Sequence, residues 1–132
     1  MQVPTALIGC QVWRVAFDYQ TRLVLIDQNP DRSSKVEAEL VIETPFVLRD
    51  TAGKRHELDP NTSRSALAPV IDLFFKTITA VTVTDRGTLT LDFDDGAQLV
   101  VTPDPQYESW HLHGDGISGI LVGPGGETNW EG

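Results

Sequence analysis

Cysteine is almost absent. Cys10 is the only one in 132 residues, which excludes an internal disulfide framework and fits a reducing, cytoplasmic setting. Basic residues are also scarce, with ten Lys and Arg against nineteen Asp and Glu and a net charge of −9. That balance argues against a nucleic-acid partner, whose phosphates demand a basic face. No apolar run approaches the length of a membrane span, so no membrane association is expected. The run Leu7-Ile8-Gly9-Cys10 has the shape of a lipoprotein cleavage site. Residues 1–9, however, hold no Lys or Arg and are interrupted by Pro4, so they read as a lead-in to a first strand. Asn61-Thr62-Ser63 matches a glycosylation acceptor but carries no weight without an export signal.

What is present is a chain of single-domain size, 40% apolar with eight prolines, long enough to bury a core without staples. Alternation with period two dominates. In Thr88–Asp94, Leu89, Leu91 and Phe93 share one face while Thr and Asp share the other, the pattern of a half-buried antiparallel strand. Asp94-Asp95-Gly96 supplies a tight turn, Gln98–Thr102 returns, and Pro103 stops it. Upstream, Thr79, Val81 and Val83 are expected to face the core. The first half follows the same plan. Trp13, Val15 and Phe17 alternate inward, Leu23–Ile26 is apolar on both faces and reads as a central strand, and Glu39–Glu43 ends at Pro45. A hairpin over Phe46–Leu58 follows.

The halves align. Val12, Val15, Leu23 and Leu25 match Ile78, Val81, Leu89 and Leu91 at an offset of 66, and Leu40 and Ile42 match Leu99 and Val101 at an offset of 59. The difference of seven falls in the loop at Asn29–Lys35. Between the halves, a breaker-and-cap cluster at Asp59–Ser63 precedes Leu67, Val70, Ile71 and Phe74, spaced as a helical core stripe. The predicted fold is therefore mostly β (α+β). Two pseudo-repeated antiparallel meanders, 9–58 and 76–122, pack as a sandwich or partial barrel, with one α-helix over about 65–75 and a frayed tail over 123–132 unless Trp130 anchors it. All of it reads as one domain, 1–132.

The stretches Arg14–Gln20, Ile42–Phe46, Asp94-Asp95-Gly96, Pro103-Asp104-Pro105 and Tyr107–Trp110 together resemble a family of small uncharacterised actinobacterial proteins. The likeness runs from about Ile8 to Gly125. It implies this architecture and supplies no chemistry and no cofactor.

Candidate sites follow from residue type and spacing. His111 and His113, two apart on a strand, share a face and could meet one metal ion, with Asp115 as a further oxygen donor. Two imidazoles are short of the three or four ligands zinc takes, so the solvent-face reading weighs more. Asp92-Phe93-Asp94-Asp95-Gly96 fails as a calcium loop, because glycine falls fifth and Pro103 stands where the bidentate glutamate belongs. Cys10 lacks any activating neighbour. Gly123-Pro124-Gly125-Gly126 lacks the Lys-Ser/Thr ending of a phosphate loop. Glu43 and Glu108 are strand-associated carboxylates that spacing alone cannot pair. The richest surface segment is Pro103–Trp110, where two prolines pre-order a loop bearing Tyr107 and Trp110, residue types typical of interface anchors.

Charge is lopsided. Residues 1–76 carry nine basic and ten acidic side chains, a balance of −1, whereas residues 77–132 carry Arg86 against nine acids, a balance of −8. These features favour a non-enzymatic binding module for a basic protein partner, as an immunity-type antidote is for a toxin. Its expected contacts are Asp92, Asp94, Asp95, Asp104, Tyr107, Glu108 and Trp110. A metal-binding protein or metal-dependent hydrolase built on His111 and His113 is the alternative. A homodimer that covers exposed strand edges is a third.

Overall fold

The structure is a computed structural model that describes residues 3–27, 35–61, 64–84 and 86–126. Ten strands follow one another: β1 (Cys10–Phe17), β2 (Thr21–Asp27), β3 (Glu37–Ile42), β4 (Phe46–Arg49), β5 (Arg55–Leu58), β6 (Ile78–Thr84), β7 (Thr88–Phe93), β8 (Gln98–Val101), β9 (Trp110–Asp115) and β10 (Ile120–Val122). They form two five-stranded antiparallel sheets, ordered β1-β2-β3-β9-β10 and β5-β4-β8-β7-β6, and neither closes into a barrel. Their inner faces share one core that includes Leu23, Leu25, Leu40, Ile42 and Leu112 from the first sheet and Phe46, Leu48, Leu89, Leu91 and Leu99 from the second. The central position expected for Leu23–Ile26 holds, because β2 lies between β1 and β3.

Each run of three strands thus stays in one sheet, and the two strands after it cross to the other. Exchanging β1–β5 with β6–β10 converts one strand order into the other. The bulge between Val12 and Arg14 in β1 recurs between Ile78 and Ala80 in β6, a shift of 66 residues at both ends (78 − 12 and 80 − 14). The third strands differ by 59, since Leu40 faces Leu23 and Leu99 faces Leu91. The second strands differ from expectation. Val12 faces Leu25 and Ile78 faces Phe93, so β2 maps onto β7 with a shift of 68, and Leu25 corresponds to Phe93 rather than Leu91. Beyond the bulge the second hairpin is one residue longer on each arm, which accounts for the two.

The bulges also correct two core assignments. An extra residue flips the pleat, so Trp13 and Thr79 are exposed while Val12 and Ile78 are buried. The helical segment is tighter than expected as well. A 3₁₀ turn over Arg64–Leu67 runs into one α-helical turn, α1 (Ala68–Ile71). The following N–H groups of Asp72, Leu73, Phe74 and Lys76 all bond three residues back. A three-residue period places Leu67, Val70 and Leu73 on one face, and these are buried while Ile71 and Phe74 are exposed. Pro69 near the helix start limits how far α-type bonding extends to its N-terminal side.

The chain leaves 123–126 in a short 3₁₀ turn, Pro124–Gly126, with Gly125 N–H bonded to Asp104 O at 2.7 Å. The rest of the expected tail with Trp130, the Asn29–Ser34 part of the expected loop and Thr62-Ser63 lie outside the described residues. No helix among the described residues is long and apolar enough to cross a membrane.

Candidate functional site

Two connections carry the chain between the sheets at one end of the sandwich. The first is Glu43-Thr44-Pro45, between β3 and β4. The second is Thr102–Ser109, between β8 and β9. The prolines that stop β3 and β8 thus mark places where the chain changes sheet, because proline cannot donate to a continuing ladder. Together with the β1–β2 turn and the residues after β5, these connections enclose a cleft of about 580 Å³. Glu43, Asp59, Asp104 and Glu108 bring four carboxylates to its lining, and Tyr19 and Tyr107 stand beside them. No Lys or Arg lines it among the described residues. Tyr19 and Tyr107 are 83% and 69% exposed, so both rings project from the surface.

The 102–109 loop is pre-ordered by its own side chains. Asp104 Oδ1 accepts the N–H groups of Gln106 (2.8 Å) and Tyr107 (3.1 Å), the local bonding that aspartate offers a turn. Ser109 is fully buried, and its Oγ accepts Asp104 N–H at 2.8 Å. The Ser109 hydroxyl in turn reaches Tyr107 O and Gly123 O at 3.4 and 3.5 Å. Its backbone joins the sheet, with Ser109 N–H to Val122 O and Glu43 N–H to Ser109 O. One buried serine therefore ties the two crossovers together and fixes where Tyr107 leaves the surface.

The expected contact residues separate. Asp104, Tyr107 and Glu108 line the cleft. Trp110 does not act as a surface anchor. It shares the inward face of β9 with Leu112, is 0% exposed, and donates its indole N–H to Gly87 O at 2.8 Å. Asp92, Asp94 and Asp95 sit by the β7–β8 turn, at the end of β8 away from the cleft, and their carboxylates are engaged locally. Asp95 pairs with Lys76 at 2.7 Å and accepts Ala97 N–H, Asp92 accepts from Gln98, and Asp94 accepts Thr77 N–H. Burial opposes ionisation of Asp95, yet Lys76 and the Ala97 N–H outweigh it and hold the carboxyl below its ordinary value.

His111 and His113 do lie on the outer face of the first sheet, with rings stacked at 5.3 Å. Each stands near a carboxylate of β3 or its end. His113 Nε2 is 3.5 Å from Glu39, and His111 Nδ1 is 3.8 Å from Glu43. Arg22 pairs with Glu39 at 2.7 Å and with Asp18 at 3.4 Å. Gln20 bridges Arg22 to Glu43. The result is a polar ring that ends on Glu43, at the edge of the cleft. Burial works against the Arg22 charge, and Glu39 and Asp18 more than restore it. His111 is held below its ordinary value, first by burial, against the pull of Glu43, and with the help of His113 and Arg22. Among the described residues no three His, Cys, Asp or Glu side chains converge as a metal site requires.

Sequence reasoning did not find Tyr19, Asp59 or Ser109 as members of this site, and noted Glu43 without a partner. The usable signal was the pair of strand-ending prolines, Pro45 and Pro103, which flank the crossovers.

Comparison with known proteins places the chain by family. The model of a family of unknown function, DUF6188, matches residues 3–131, and the chain belongs to that family. No curated protein and no solved structure matches it.

Proposed function

We propose that the domain is a binding module that takes a cationic segment of a partner protein into the cleft between its two crossovers. The observation that carries this reading is the lining itself, with four carboxylates, two projecting tyrosines and no described Lys or Arg. A cation entering the cleft gains Coulomb attraction from several carboxylates at once. A concave acidic site also raises the rate of encounter with a basic partner. The tyrosine faces add about 0.5–1 kcal/mol each as cation–π partners where they remain exposed to solvent. A partner of opposite charge, as in toxin and antidote pairs, is the class that fits. Titration of a labelled oligolysine peptide tests the reading. Binding that weakens steeply with salt, and that Asp59→Asn with Glu108→Gln weakens about tenfold or more, is the expected result. Equal binding by wild type and this variant would remove the cleft from consideration.

A second reading, self-association, has its own observation. Trp13, Phe74 and Phe75 form an exposed aromatic group, with Phe75 edge-on to Trp13 at 5.2 Å and stacked on Phe74 at 4.1 Å. Phe75 adopts φ +69°, a left-handed conformation that is costly for a bulky residue. An exposed apolar patch of this kind marks an interaction surface. Light scattering of wild type and Phe74→Ser decides it, with a dimer expected only for the wild type.

A further inference from the structure

We infer that the segment recognised is amphipathic, a basic residue with an apolar neighbour, rather than merely cationic. This rests on the cationic reading above and adds the second half of the ligand. The acidic cleft does not end at Pro45 and Asp59. The same two residues border a second hollow of about 280 Å³ on the outer face of the second sheet. Its floor is Val47 and Val100, which lie directly opposite each other across β4 and β8.

The pleat explains why two valines face outward there. Phe46, Leu48, Leu99 and Val101 are buried in the core, so their neighbours Val47 and Val100 take the opposite face and stay half-buried. The same cross-strand row continues through Thr90 and Thr82 on one side and Glu57 on the other. The valine pair is therefore an apolar spot in a row that is otherwise polar. Two carboxylates stand at its rim, Asp59 and Glu57, the latter paired with Arg55 at 3.3 Å, and the other three of the acidic cleft, Glu43, Asp104 and Glu108, lie beyond Pro45. An apolar side chain seated on Val47 and Val100 leaves a basic neighbour on the Asp59 side facing the carboxylates of the acidic cleft. An anionic or purely apolar ligand would meet repulsion or an uncompensated rim, so charge complementarity selects a peptide segment with both features.

The two lobes contribute in separable ways. Attraction to the carboxylates is screened by salt, whereas apolar burial is not. The test uses two otherwise identical Gly/Ser peptides. One carries Lys and Leu two residues apart, on one side of an extended chain, and the other has Ser in place of Leu. At low ionic strength the Lys–Leu peptide is expected to bind about tenfold more tightly, the discrimination a small apolar pocket supplies. That ratio should persist as salt rises, while both affinities fall. Val47→Thr with Val100→Thr should bring the ratio to one and leave Lys–Ser binding unchanged. If the double variant does not fold, by circular dichroism, Val100→Thr alone serves with a smaller expected drop. Equal affinity of the wild type for the two peptides overturns this inference and leaves the cationic reading standing. No binding of either peptide overturns both. A ratio that survives the valine substitutions overturns the assignment to Val47 and Val100.

Discussion

The β7–β8 turn and the cleft are both acidic, and they differ in what their carboxylates already hold. At the turn, Asp95 has Lys76, Asp92 has Gln98 and Asp94 has a backbone N–H. These groups spend their charge on closing the hairpin and fastening it to the segment before β6. In the cleft, Asp104 and Asp59 each use one oxygen for backbone N–H groups of their own loops and Glu43 accepts from Gln20, Glu108 holds no such bond, and none of the four is paired with Lys or Arg among the described residues. The lesson is that local charge density does not locate a site. The second half of the chain holds most of the net charge, yet the cleft takes Glu43 and Asp59 from the first half and Asp104 and Glu108 from the second. Both halves therefore line the proposed site.

The sharpest way to break this comparison is charge reversal in each region. Glu43→Lys with Glu108→Lys should weaken oligolysine binding about a hundredfold or more, two tenfold steps from two reversed contacts. Asp92→Lys with Asp94→Lys should change it by less than about threefold, a long-range effect only. Fluorescence anisotropy of a labelled peptide reads both. The reverse ranking would move the site to the hairpin.

Next in size is Ser109→Ala. It removes the acceptor for Asp104 N–H inside a fully buried pocket, which should cost about 1–3 kcal/mol in urea unfolding. It should also weaken peptide binding, because the loop that presents Tyr107 loses the hydroxyl that fastens Asp104 and reaches Tyr107 O and Gly123 O. Lys76→Met, at the hairpin, should cost about 1 kcal/mol or less, since its pair with Asp95 is only partly shielded from solvent. It should leave peptide binding as it was. A binding loss in Lys76→Met equal to that in Ser109→Ala would erase the distinction between the two regions.

The sequence made the sheets legible because alternation is their direct imprint. Leu23, Leu25, Leu89 and Leu91 point inward as their spacing requires. Reading failed where the pleat was interrupted. Trp13 and Thr79 sit at the two bulges, and period two carries no mark of an inserted residue. The helical stripe failed for a related reason. A period of 3.6 selects Leu67, Val70, Ile71 and Phe74, while the 3₁₀ bonding that prevails selects Leu67, Val70 and Leu73. The cleft was half legible. Asp104, Tyr107 and Glu108 stand together in sequence, but Tyr19, Glu43 and Asp59 reach them only through the crossing of strands between sheets. The duplication stays a proposal about sequence history. The exchange of strand orders and the matched bulges support it, and the 68-residue shift of β2 onto β7 corrects the alignment it was first drawn from.

The smallest expected effect lies where the polar ring of the first sheet meets the cleft, at His111 and Glu43. The folded protein holds His111 below its ordinary value of 6.5, chiefly through burial. The unfolded chain therefore binds a proton at a pH where the folded one does not. Stability from this group is complete above about 6.5 and falls as pH drops from there to the lower folded value, after which it levels off. His111→Gln removes that step and keeps a polar side chain in the row. Urea midpoints measured at about pH 7.5 and about pH 5.5 should differ less in the variant than in the wild type. The other titratable side chains are common to both proteins, so the difference between the two slopes isolates the step at His111. A steeper slope in the variant would mean that Glu43 stabilises the imidazolium more than burial penalises it. The ring would then be a charged pair competing with the cleft for Glu43, and not a neutral neighbour that leaves its carboxylate free for a cationic ligand.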